Sequence, residues 1–139
     1  AYYWHFVGGA YGIVAPDGLY PAGTVFHLLS TRTREGRLCL ARSADESRVE
    51  CLAVATPGEY LLALVNKTPE PQTVALQLLN YAPVPESGLT SHATEEWTVA
   101  AEDDRFSLRK VRTPTSRDQT VILEPFSLRL LFVPGKSGT

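Results

Sequence analysis

The chain has 139 residues, a formal net charge of −2 and 44% hydrophobic residues. That is the profile of one globular domain with enough apolar material to build a core without disulfide staples. A near-neutral balance excludes the basic footprint of a nucleic-acid binder, and apolar runs no longer than a strand exclude a membrane-spanning helix. The basic residues Arg32, Arg34, Arg37, Arg42 and Arg48 are scattered with acidic ones among them and read as a solvated face. No signal-peptide pattern opens the chain. Residue 1 begins "AYYWHF", which reads as the inside of structured protein, so a trimmed or processed chain or a fragment of a larger enzyme is expected.

The aromatic segment "YYWHFV" suits a strand. "GGAYGIVAPDG" follows as a glycine-punctuated loop. "YPAGTVFHLLSTRT" then reads as a helix. Pro21 fits its first turn, and Val25, Leu28 and Leu29 form an apolar stripe flanked by Phe26 and His27. Gly23 weakens this helix by about 1 kcal/mol.

From residue 36 the pattern changes to short strands. They are expected near Arg37–Arg42, Arg48–Ala55, Tyr60–Asn66, Gln72–Leu79, Glu96–Ala100, Phe106–Val111, Thr120–Leu123 and Ser127–Val133. Alternation places Phe106, Leu108 and Lys110 on one face, Val74, Leu76 and Leu78 on another, and Phe126, Leu128, Leu130 and Phe132 on a third. Turn signals separate the runs. The expected fold is all-β: an antiparallel two-sheet β-sandwich of about eight strands with one short N-terminal helix. The expected layout is a strand-loop-helix segment over 1–35, a sandwich over 36–134 and a flexible tail over 135–139.

Two details of the strands bear on chemistry. A hairpin centred on Asp45 would set Cys39 opposite Cys51, which leaves open a disulfide or two small thiols acting as hydrophobes. In "VNKTPEPQTV" Asn66 ends a strand and can bond the turn, while Pro69 and Pro71 must lie outside the ladder. The flanking strands then pair or cross between sheets. Asn66-Lys67-Thr68 also matches the glycosylation pattern, a short and common motif.

Catalytic constellations do not emerge. His5, His27 and His92 lack ligand spacing, and His27 reads as a packed histidine. Neither a nucleophile elbow nor a phosphate loop is present. Neighbouring carboxylates such as Glu95-Glu96 point to opposite faces of a strand. A calcium ion at Glu102-Asp103-Asp104 is conceivable from clustered oxygens, yet no metal, cofactor or catalytic residue is assigned. The residues suited to stacking on a sugar are Trp97, Tyr81 and Tyr60, with Trp4 at the N-terminus. Each has a plainer role as a packing residue.

Three stretches carry a resemblance: "GLYPAGTVFHLLS", "LLALVNKTPEPQTVALQL" and "VILEPFSLRLLFV". In this order they resemble the C-terminal β-sandwich of clan A glycoside hydrolases, the arabinofuranosidase, β-xylosidase and glucanase group. The matching positions are Gly9, Tyr11, Gly12, Asp17, Gly18, Pro21 and Ala22, then Val65 to Thr68, then Leu123, Pro125 and Ser127. The resemblance implies that "AYYWHF" and Leu19–Thr33 are the last strand and helix of a (β/α)8 barrel. It implies that the catalytic carboxylates lie on that barrel, outside this chain. The function it implies is a non-catalytic accessory domain, supporting a catalytic barrel in cis or as a separate chain and contacting a plant-type polysaccharide. An extracellular or periplasmic location follows, with no nucleic-acid or membrane partner. The alternatives are a free-standing carbohydrate-binding module and a small enzyme with a site of its own.

Overall fold

The structure is a computed structural model describing residues 14–15, 18–79, 81, 93–102 and 105–135. The chain opens with a minimal antiparallel ladder, β1 (Val14–Ala15) with β2 (Gly18–Leu19), inside the segment that reads as a loop. Helix α1 (Pro21–Arg32) follows, with Pro at its start as the sequence predicts. Among the described residues eight strands follow: β3 (Arg37–Cys39), β4 (Val49–Ala55), β5 (Glu59–Asn66), β6 (Gln72–Gln77), β7 (Ala93–Glu102), β8 (Arg105–Pro114), β9 (Asp118–Leu123) and β10 (Leu128–Pro134).

Six of these form one sheet in the order β3-β4-β5-β10-β7-β8, and β6 pairs with β9 in a second. Every pairing among the described residues is antiparallel. This is the expected two-sheet sandwich. The segment "VNKTPEPQ" is therefore no hairpin, because β5 and β6 lie in different sheets. No helix among the described residues is long and apolar enough to cross a membrane.

Strand β10 sits at the centre and is buried on both faces. Leu131 and Val133 join Val49, Ala53, Leu62, Leu64, Val121 and Leu123 in the core between the sheets. Leu130 and Phe132 join Leu28, Val54 and Leu61 beneath helix α1. Leu130, Leu131, Phe132 and Val133 are each at most 1% exposed, worth about 1.5–3 kcal/mol apiece by apolar transfer. The single apolar face expected for β10 is thus half of its burial. Phe126 precedes the strand itself, standing in the turn before β10 with φ of 45°.

The β3–β4 hairpin corrects the predicted register. Cys39 stands opposite Ala53, and Cys51 pairs across β5 with Leu64. Both cysteines are free thiols. Burial pushes the Cys51 thiol up, with Glu46 and Glu50 adding to it. Exposed Cys39 is expected to alkylate with iodoacetamide at least ~10-fold faster than Cys51 in the native chain. Titration with a thiol reagent before reduction should count two thiols; a count of zero would overturn the register.

Candidate functional site

The six-stranded sheet has two working faces, and the predicted aromatics divide between them. Tyr60 packs toward the second sheet, where its ring meets Tyr81 edge-on, with centroids 6.0 Å apart at 67°. The Tyr81 hydroxyl donates to the Pro134 carbonyl, and burial pushes its pKa up. A Cβ on Gly135 would come within 2.8 Å of both rings, so the pair closes over the end of β10. Trp97 lies on the opposite face, against the core beneath helix α1. These residues form no common platform. Trp4 lies outside the described residues, as do His5, His92, Asp103 and Asp104. His27 is exposed on the helix rather than packed. No group of three or more potential metal ligands occurs among the described residues.

What Trp97 joins is an ion network. Its indole N–H donates to Glu95 Oε1 at 2.6 Å, and Lys110 Nζ stands 4.8 Å from its ring centroid. Arg32, in the last turn of helix α1, donates from Nη1 to the same Glu95 oxygen at 2.6 Å. It grips Glu59 with Nε at 2.9 Å and Nη2 at 2.6 Å. Its guanidinium carbon lies 3.5 Å from the centroid of the Phe132 ring. Lys110 reaches Glu95 Oε2 at 3.2 Å. Burial alone would raise the Glu95 carboxyl, but the hydrogen bonds from Trp97, Lys110 and Arg32 hold it below the usual range. Burial alone would lower Arg32, and the bonds to Glu59 and Glu95 outweigh it. Arg32 is therefore no part of a solvated face. The sequence signal for it is faint: Arg32 stands one turn beyond Leu28, on the stripe that faces the sheet. As the adjacent-carboxylate rule predicts, Glu96 points the other way, where Thr113 donates to it at 2.6 Å and Arg129 lies 3.6 Å off.

A second constellation ties the sheet ends. Asn66 is 1% exposed. Its Nδ2 donates to the carbonyls of Glu70 at 2.7 Å and Glu124 at 2.8 Å. Its Oδ1 accepts from the Thr68 backbone N–H at 2.9 Å and hydroxyl at 2.8 Å. Ser127 Oγ donates to the same Glu124 carbonyl at 2.6 Å, and the Ser127 carbonyl accepts from the Asn66 backbone N–H at 2.9 Å. The motifs around Val65–Thr68 and Leu123–Ser127 are therefore one clasp between two turns. With its amide enclosed and all four bonding positions used, Asn66 is no glycosylation acceptor in the folded chain.

Beside this clasp, on the face that carries helix α1, the sheet is open. A depression of about 440 Å³ is lined chiefly by Val65, Val99, Phe106, Phe126 and Leu128. Phe126 donates its backbone N–H to the Thr68 carbonyl at 3.0 Å, which holds it in a left-handed conformation costing roughly 1–2 kcal/mol for a residue with a Cβ.

Residues 46–131, more than half of the chain, match the profile of the D-apionate lactonase C-terminal immunoglobulin-like domain. The chain belongs to that family. Solved structures give the same architecture at low identity. This immunoglobulin-like domain is similar to a GH30 endoxylanase from Clostridium papyrosolvens C71 at 12% identity and a TM-score of 0.62, covering 91% of this chain and 32% of that one. It is similar to a bifunctional glucanase-xylanase from a metagenome library at 16% identity and 0.55, covering 71% and 18%. It is similar to an arabinose-bound GH51 α-L-arabinofuranosidase at 11% and 0.56, covering 69% and 16%. The domain thus spans less than a third of each, and the likeness is one of fold. It bears out the resemblance to the C-terminal sandwich of clan A glycoside hydrolases. No curated protein sequence matches the chain.

Proposed function

We propose that this is a non-catalytic accessory domain that supports a catalytic (β/α)8 barrel acting on a sugar derivative. The observation that carries it is the docking of helix α1. The helix buries Leu28 on the sheet and is pinned by Arg32 to β5 and β7. A helix fixed in this way makes a rigid joint with whatever precedes it. The family name favours a partner that hydrolyses a sugar lactone, and the fold relatives favour a polysaccharide hydrolase. With the second partner would go plant-type polysaccharide contact and an extracellular or periplasmic location.

Deleting residues 36–139 from the full enzyme should lower the thermal stability of the catalytic domain and leave its substrate preference intact. An unchanged melting temperature would remove the supporting role. Sugar contact at Trp97 is the second reading, favoured by an indole that is half-buried beside a carboxylate and an ammonium. Affinity electrophoresis against xylan, arabinan, β-glucan and mannan should show no retardation, since Lys110 Nζ already stands over the face of the ring on which a sugar would stack. Retardation by one polymer, lost in Trp97→Ala, would establish the binding reading instead.

A further inference from the structure

We propose that the open depression beside the Asn66 clasp seats an apolar surface of the catalytic domain, as a second contact alongside helix α1; this rests on the supporting role above. Helix α1 covers the part of the sheet around Leu61, Leu130 and Phe132. Farther along the same strands, on the same face, Val65, Val99 and Leu128 are half-buried. Phe106 is 63% exposed and Phe126 57%. Leu52, opposite Ala63, extends the patch on β4 at 46%. Large apolar side chains gathered on one open face mark an interaction site rather than ordinary scatter.

The occupant follows from the place of the patch, the turn at Phe126 and the polarity of the lining. The patch continues the face on which helix α1 already lies, and the family profile is that of an enzyme's C-terminal domain, so a catalytic domain would precede this one, on the N-terminal side from which helix α1 leads onto the sheet. Phe126, moreover, keeps a positive φ that glycine would take without strain. A bulky ring retained in that turn points to a contact the ring itself makes. The lining is also poor in polar groups, with Asn66 spent on the clasp, which suits an apolar protein surface better than a hydroxyl-rich sugar.

The test is hydroxyl-radical footprinting of the full-length enzyme, read at Phe106, Phe126 and the outward Phe26 of helix α1. Modification of Phe106 and Phe126 should fall several-fold below the urea-unfolded enzyme and should rise again in Phe106→Asp at Phe126. Protection of Phe26 with no protection of the depression would overturn the inference and leave the supporting role standing. No protection at any of the three would sink both. Protection that grows with protein concentration would assign the patch to a second copy, and protection appearing only with added xylo-oligosaccharide would assign it to a glycan; either overturns the proposal. Phe126→Gly supplies the control: if it leaves Phe106 protected and raises the melting temperature of the enzyme, the ring makes no contact there.

Discussion

Asn66→Ala is expected to lower the stability of the chain by about 3 kcal/mol, among the largest effects of any polar substitution here. Three backbone groups lose a partner: the Thr68 N–H and the carbonyls of Glu70 and Glu124. Orphaning three fully buried groups would cost up to about 6–9 kcal/mol, but these are only part-buried. Two of them keep other donors, since Ser127 Oγ still reaches Glu124 and Thr68 Oγ1 still reaches Glu70 at 3.0 Å. The smaller figure follows. Against a total of about 5–15 kcal/mol for a domain, the loss is easily read by urea denaturation. Asn66→Asp separates hydrogen bonding from shape. Its carboxylate would face two carbonyl oxygens with no proton to offer, so its folded pKa must rise above the unfolded value of about 3.9. The stability of this variant should be fully present below that value and be lost as pH rises through the folded pKa. At neutral pH it should fall at or below the alanine variant. A pH-independent difference between the two would mean that the Asn66 side chain is not enclosed.

The clasp also explains which parts of the molecule were legible. Every strand from β3 to β10 falls where short apolar alternations fall between turn residues, and Pro21 marks the helix start. Periodicity reports burial of one face, and it is weakest where that rule breaks. Strand β7 begins earlier than expected because Thr94, polar by type, is buried on the same face as Glu96 and Thr98. Strand β10 is apolar on successive residues because it is covered from both sides. The Cys39 register slipped because the turn between β3 and β4 carries no two-residue signal to fix the pairing. The candidate site was legible by residue type and not by place. Trp97 and Tyr60 stand on opposite faces, a fact set by strand order that no local pattern encodes. Arg32 was unreadable for the same reason, since its partners Glu59 and Glu95 lie 27 and 63 residues away along the chain.

Arg32→Ala is expected to cost about 2–3 kcal/mol and to loosen helix α1 from the sheet. Removing one partner of a buried ion pair commonly costs about 3–5 kcal/mol because the other charge is stranded. Here the Arg32 side chain is 28% exposed and those of Glu59 and Glu95 are 24% and 17%, so water softens the penalty. Arg32→Lys keeps the charge and loses the two-pronged grip on Glu59, and should recover less than half of the loss. The same network makes the joint sensitive to acid. Glu95 is held below its ordinary 4.5 in the folded chain. Its contribution is therefore present above about the unfolded value and is lost as pH falls through the folded one. Because the Trp97 indole donates to that carboxylate, Trp97 emission should shift as the proton arrives, and Trp97→Phe should remove the shift. In Glu95→Gln the stability curve should flatten on the acid side, since no proton is taken up there on unfolding. Parallel acid limbs for the two proteins would show that Glu95 does not hold the helix, and the rigid joint would then rest on the packing of Leu28 against Leu61, Leu130 and Phe132.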